Sequence, residues 1–233
     1  MSSARARRLA WLQPDDPPEA FPPASQALRD PNGLLAVGGD LSVARLLAAY
    51  RGGIFPWFSP GQDILWWSPD PREVLWPGRF HVSRSLAHAL RRAAAQPGFH
   101  IVEDRHFAAV VDGCAAPRAA DSGTWITAAM RQAYGQLHTA GHAHSIEVWS
   151  AGALIGGLYG VQLGGVFFGE SMFSAATNGS KFALEYLCRT RRGGTLELLD
   201  CQFPTPHLRS LGSEPLPRAE FLAQLRRLTT PLL

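Results

Sequence analysis

Hydrophobic and polar positions change period along the chain, and each change marks an element. The first helical period runs over Val43–Tyr50, where Ser42, after Gly38-Gly-Asp-Leu41, supplies an N-cap oxygen. Gly53 to Pro77 has no helical period, and its Trp, Pro and Gly residues predict short strands and turns. Helix and strand then alternate: helix over Ser83–Ala95, strand over Phe99–Val102, helix over Phe107–Cys114, and helix over Thr127–Thr139 with Thr127 as its cap. Ser145–Trp149, Ala153–Gln162 and Gly165–Phe168 read as consecutive strands, joined by turns at Ala151-Gly152 and Leu163-Gly164, which predicts a meander. A helix over Ser180–Arg191, a buried strand over Thr195–Asp200 and a closing helix over Arg218–Leu228 follow. This order predicts an α+β (mixed α/β) chain. A small Trp/Pro-rich N-terminal domain, residues 1–78, precedes an acyltransferase-like domain, residues 79–233, with an antiparallel core flanked by helices.

Composition narrows the class only slightly. At 233 residues and 46% hydrophobic content, the chain can bury a substantial core. Cys114, Cys188 and Cys201 are odd in number and contain no C-x-x-C pair, which argues against a disulfide framework or a thiolate zinc site and fits a reducing compartment. The basic lead from Met1 to Leu12 stops at Gln13-Pro14, too soon for a signal peptide, and no apolar run is long enough to span a bilayer. Net charge is only +3, with Lys181 the sole lysine, so an anionic partner must meet a local cluster of arginines.

The run Gly164 to Ser174, GGVFFGESMFS, sets one carboxylate among aromatic and apolar side chains. Strand alternation places Glu170 on a face with Phe168 and Met172, while Gly169 leaves the backbone open to approach. Either Glu170 is a strand end pointing to water, or it belongs to a pocket that holds an apolar group and a cationic nitrogen together. Trp57 follows Phe55-Pro56, Trp66 and Trp67 precede Ser68-Pro-Asp-Pro-Arg72, and Trp125 follows Gly123-Thr124. Core packing accounts for part of this set; rigid Pro-framed loops also make indoles a platform on which nucleobases stack. Arg84, His88, Arg91 and Arg92 share much of one side of a helix, where they track phosphates or form an ordinary solvated face.

Other motifs carry less. His138 and His142 have the i, i+4 spacing of a zinc pair with His144 nearby, but Gly141 ends the helix between them, so no metal site is expected. Gly169-Glu-Ser171 lacks the second glycine of a serine-hydrolase elbow. An acetyl-CoA enzyme would carry a glycine-bearing pyrophosphate loop that opens a helix, whereas Arg191-Arg-Gly-Gly194 precedes a strand. Asp200 and Gln202 share one face at the end of an apolar strand, a place where Asp usually serves as a turn former. An RNA-binding module without catalysis would use the indoles and arginines alone and leave Glu170, Asp200 and Gln202 without a role.

Taken together, these stretches resemble the bacterial leucyl/phenylalanyl-tRNA–protein transferases. The resemblance is carried by PNGLLAVGGDLS (Pro31 to Ser42), Ala49-Tyr50, GIFPWFS (Gly53 to Ser59), ILWWSPDPR (Ile64 to Arg72), GTWI (Gly123 to Ile126), HAHSIEVW (His142 to Trp149), GGLYG (Gly156 to Gly160), GESMFS (Gly169 to Ser174) and Asp200-Cys-Gln202. It implies a small N-terminal domain followed by a domain like the GNAT acyltransferases. The implied reaction moves Leu or Phe, and Met less efficiently, from aminoacyl-tRNA to the α-amine of a protein that begins with Arg or Lys, marking it for degradation by the N-end rule. The implied enzyme is a cytoplasmic monomer that needs no cofactor and no membrane. By the same resemblance, Glu170 lies where ester and amine meet, Leu158, Phe167, Met172 and Leu187 surround the aminoacyl side chain, and Trp57 and Trp125 hold the terminal adenosine. Arg84, His88, Arg91 and Arg92 match a tRNA-binding cluster. Asp200 and Gln202 match a catalytic pair in which the carboxylate polarises the side-chain amide, and the amide oxygen accepts a hydrogen bond from the attacking amine.

Overall fold

The computed structural model describes residues 9–116, 124–191 and 196–230. The basic lead before residue 9, Gly123 of the GTWI run and Thr195 at the start of an expected strand lie outside them.

The smaller sheet is built from β1 (Ala10–Leu12), β2 (Leu34–Gly38), β3 (Phe55–Pro56) and β4 (Leu65–Trp67), in the order β1-β2-β4-β3. The Trp- and Pro-rich segment does form short strands; β1 and β2 are additions that its composition does not signal. Between β2 and β3 runs α1 (Val43–Arg51), whose N-cap Ser42 accepts the Arg45 N–H at 3.3 Å. The Arg45 side chain is buried, donates to Asp40 Oδ2 at 2.9 Å and to the carbonyls of Gln13, Asp16 and Pro17, and so ties the leading segment to α1.

The larger sheet has seven strands: β5 (Arg72–Leu75), β6 (His100–Glu103), β7 (Ala143–Ser150), β8 (Ala153–Leu163), β9 (Val166–Ser174), β10 (Leu198–Gln202) and β11 (Glu214–Leu216). Their order is β11-β5-β10-β9-β8-β7-β6. Pairing is antiparallel except between β10 and β9, which run parallel with Leu198 opposite Val166 and Asp200 opposite Phe168. The remaining helices are α2 (Arg84–Ala94), α3 (Phe107–Ala115), α4 (Ala128–Thr139), α5 (Gly179–Arg191), α6 (Pro206–Ser210) and α7 (Arg218–Thr229). Thr127 and Ser83 cap α4 and α2 through their side-chain oxygens.

Alternation along the strands divides the interior. Phe168, Val166 and Leu198 pack with residues of α1, α3, α4, α7 and the smaller sheet, whereas Phe167, Leu158, Leu199 and Cys201 pack with α2 and α5. The third meander strand runs to Ser174, past its expected end at Phe168, because a bulge re-aims it: Gly169 pairs with Gly160 and Ser171 with Tyr159, leaving Glu170 unpaired between them. Gly160 is required there, since a Cβ would stand 2.2 Å from the Phe168 carbonyl oxygen and 2.4 Å from the Phe167 ring. β9 therefore continues beyond its last partner on β10, and the sheet opens between the two strands.

Candidate active site

The opening between β9 and β10 holds a cavity lined by Leu158, Phe167, Met172, Leu184, Leu199 and Leu208, and by Glu170, Asp200, Cys201 and Gln202. Its apolar wall belongs to the α5 side of the sheet. A second cleft, lined by Phe55, Trp57, Trp125, Phe203 and Thr205, shares Glu170, Cys201, Gln202 and Leu208 with the first. Its aromatic residues pack with the core on the opposite side. Glu170 and Gln202 thus stand at the junction of an apolar pocket and an aromatic cleft.

The structure brings Leu158, Phe167 and Met172 together as pocket wall. Leu184 of α5 lines the pocket, whereas Leu187, one helical turn on, is fully buried in the core with Leu158 and Phe167. Trp57 is 43% exposed and packs by its edge on Trp67 and against Phe203, with ring centroids at 5.7 and 5.4 Å. Trp67 donates its indole N–H to the Trp57 carbonyl at 2.7 Å, which fixes the loop that presents Trp57. Trp125 is half-buried just before α4.

Glu170 does not point freely into water. Tyr50 of α1 donates its hydroxyl to Oε1 at 2.8 Å, Tyr134 of α4 donates to Oε2 at 2.6 Å, and the two hydroxyls lie 2.6 Å apart. Burial pushes the Glu170 carboxyl up to about 7; the two phenols pull against that rise and the negative charge of Asp200 adds to it, while the Arg72 cation opposes it. Both phenols are raised well above their ordinary value, by burial first and then by the charge of Glu170, so they remain neutral donors. Neither tyrosine stands out by pattern. Tyr50 sits in the Ala49-Tyr50 match and Tyr134 on the apolar face of α4, where both read as core.

Asp200 is also bound differently from expectation. It is fully buried, and Arg72 grips both its oxygens, Nε to Oδ1 at 2.7 Å and Nη2 to Oδ2 at 2.6 Å. Oδ1 accepts in addition the main-chain N–H of Gln202 at 3.0 Å. The contact between Asp200 and Gln202 therefore runs through backbone, where the resemblance implies a side-chain amide. Gln202 itself has φ of 58°, a left-handed conformation that costs a residue with a side chain about 1–3 kcal/mol.

Arg84, His88, Arg91 and Arg92 are all exposed on α2, whose Leu86, Ala89, Leu90 and Ala93 turn inward. Two histidines of the H-x-x-x-H-x-H run, His138 and His144, have partners of their own. His138 Nδ1 donates to the Ala143 carbonyl at 2.8 Å and its ring stacks on Phe107, while His144 Nδ1 bonds Asp104 at 2.7 Å. Among the described residues no helix is long and apolar enough to cross a membrane.

Comparison with known proteins shows the family. The profile of the family described as Leucyl/phenylalanyl-tRNA protein transferase matches residues 74–226, and that of its N-terminal domain matches residues 39–70. A Leucyl/phenylalanyl-tRNA–protein transferase of Pseudomonas fluorescens is 56% identical over 218 residues, 94% of this chain and 94% of its own. One from Azotobacter vinelandii is 56% identical over 213 residues, 91% of this chain and 92% of its own. Among solved structures, a GCN5-related N-acetyltransferase from Kribbella flavida superposes with a TM-score of 0.37 at 13% identity, covering 73% of this chain and 60% of that one.

Proposed function

The chain belongs to the leucyl/phenylalanyl-tRNA–protein transferases, and we propose that it moves Leu or Phe, and Met less efficiently, from aminoacyl-tRNA to the α-amine of proteins beginning with Arg or Lys. The product carries an N-end-rule degradation signal. The observation that carries this reading is the shared wall of the two clefts: an apolar pocket for a side chain and an indole cleft for a terminal adenosine meet at Glu170 and Gln202.

The ester linkage to tRNA is already activated, so the protein's task is to orient two substrates and handle the protons that the acceptor ammonium gives up. With the aminoacyl side chain among Leu158, Phe167, Met172 and Leu184, and adenosine between Trp57 and Trp125, the ester carbonyl comes to the junction. Glu170, held by two phenols and titrating near 7, accepts a proton from the acceptor ammonium. The freed nitrogen attacks the carbonyl carbon, and the carbon–oxygen bond to the ribose breaks as the peptide bond forms. The ribose oxygen leaves with the proton that Glu170 took up, and the second proton that the nitrogen sheds on becoming an amide goes to the carboxylate so regenerated and from there to solvent. Gln202 accepts a hydrogen bond from the attacking amine and orients it. Arg84, His88, Arg91 and Arg92 meet tRNA phosphates. Both clefts are built from one chain, which fits action as a monomer; thiols left free at Cys188 and Cys201 fit the cytoplasm. Incubating the protein with radiolabelled Leu-tRNA and an Arg-initiated peptide tests this function: label appears in the peptide, and absence of label refutes it.

A further inference from the structure

Arg72 is fully buried and itself lines neither cleft, standing behind Phe55 of one and Asp200 of the other. Its guanidinium is clasped between the rings of Phe55 and Phe221, at 4.6 and 4.7 Å from their centroids, and Nη1 donates to the Gly53 carbonyl at 3.2 Å. Nε and Nη2 take one oxygen each of Asp200. Two separate stretches of chain thus fix one planar group, and that group fixes one carboxylate on a third. A buried ion pair is a weak stabilising device, since well-packed apolar residues replace it at little or no cost. A planar fork does something an apolar pair cannot: it sets the carboxylate's orientation.

That orientation has a single onward consequence. Asp200 lies opposite Phe168 at the last parallel pair, where β10 departs from β9. Its Oδ1 accepts the Gln202 N–H, closing a turn that puts Gln202 in the left-handed region and shifts the register of β10 on β5 by a bulge. Without that acceptor, an ordinary residue at 202 returns to extended backbone, and its side chain passes to the other face of the sheet.

We propose that Arg72 is a positioning residue for aminoacyl transfer, acting through Asp200 to hold the Gln202 main chain in the turn that presents Gln202 at the junction of the two clefts. This rests on the transferase reading of that junction. It assigns the aspartate a geometric task in place of amide polarisation, and it ties Gln202 to Phe55, two residues before Trp57, so that the amine-orienting and adenosine-holding groups share one anchor.

The test is the charge-free double variant Arg72→Met with Asp200→Leu, compared with Gln202→Ala and with the triple variant. Single-turnover transfer from saturating Leu-tRNA falls about 10²-fold in the double variant, the scale expected of an ångström-sized misplacement, while tRNA affinity and unfolding temperature hold. Hydrogen exchange at the Gln202 amide accelerates. The triple variant loses no more than the worse of its parents, because the residues act as one unit. Arg72→Lys, which keeps the charge without the fork, shows the same split between rate and affinity and decides the matter if the double variant does not fold. Wild-type transfer in either folded variant, or losses that multiply in the triple variant, overturns the proposal. Should the unaltered protein form no labelled peptide, the transferase reading fails, and exchange at Gln202 still reports whether Arg72 governs the turn.

Discussion

Tyr134 donates its hydroxyl to Glu170 at 2.6 Å, and Tyr50 donates to the other oxygen of the same carboxylate at 2.8 Å, so two helices from different parts of the chain hold one acid in a cavity wall. Their donation favours the ionised form and burial favours the neutral one; burial prevails and leaves the group titrating near neutrality.

This balance sets a pH profile. With Glu170 as acceptor of the ammonium proton, single-turnover transfer rises as pH passes through about 7 and then levels. Glu170→Gln removes that inflection. Tyr134→Phe deletes a bond that favours the charged form, so the inflection moves upward. A Tyr134→Phe profile superimposable on the parent's sinks this assignment.

The same shift bears on stability. A carboxyl raised from its ordinary 4.5 to about 7 binds its proton more tightly in the folded state. Its contribution is full below about pH 4.5 and is lost as pH rises through about 7. Glu170→Gln has no such loss, so its unfolding temperature gains on the parent across that interval, by an increment that stops growing above about pH 7. An advantage that shrinks over the same range contradicts the burial account.

Trp57→Ala or Trp125→Ala removes one stacking surface for the adenosine. Each variant raises KM for aminoacyl-tRNA by the equivalent of about 1–3 kcal/mol. Unchanged kinetics in a folded variant would mark that indole as packing alone.

Replacing Arg84, Arg91 and Arg92 together by Ala weakens tRNA binding and flattens its dependence on salt by about one unit of log–log slope for each phosphate no longer neutralised. Titrations at several salt concentrations measure this. An unaltered slope returns α2 to a solvated face.

Leu184 and Leu187 separate two roles within one helix. Leu184→Ala enlarges the pocket and changes the ratio of Phe to Leu transfer. Leu187→Ala leaves a cavity in packed core and costs about 2–5 kcal/mol of stability, read from denaturant unfolding. If Leu187→Ala alters the ratio and Leu184→Ala does not, the pocket wall has been drawn on the wrong side of α5.

Period and capping make most of the elements legible. Ser42, Ser83 and Thr127 are short polar residues just ahead of apolar periods, and each accepts a first-turn N–H in the structure. The end of β9 is not legible, because a bulge is a relationship between two strands and leaves no period of its own. The pocket residues Leu158, Phe167 and Met172 enter through resemblance, since apolar strand residues look alike whether they line a cavity or fill a core. Arg72, Tyr50 and Tyr134 stay hidden for a related reason. Their partners lie 128, 120 and 36 residues away, and only the folded chain shows which carboxylate each one serves.

The opening between β9 and β10 makes the sheet a partition with one gap in it. On the proposed function, the aminoacyl side chain is read on the α5 side and the terminal adenosine on the other, and only the ester bridges the two. That reading makes discrimination among amino acids and discrimination among nucleic-acid ends separable properties. Each would then be open to change by substitutions on its own side, with a tRNA charged with an ill-fitting residue refused for its cargo alone.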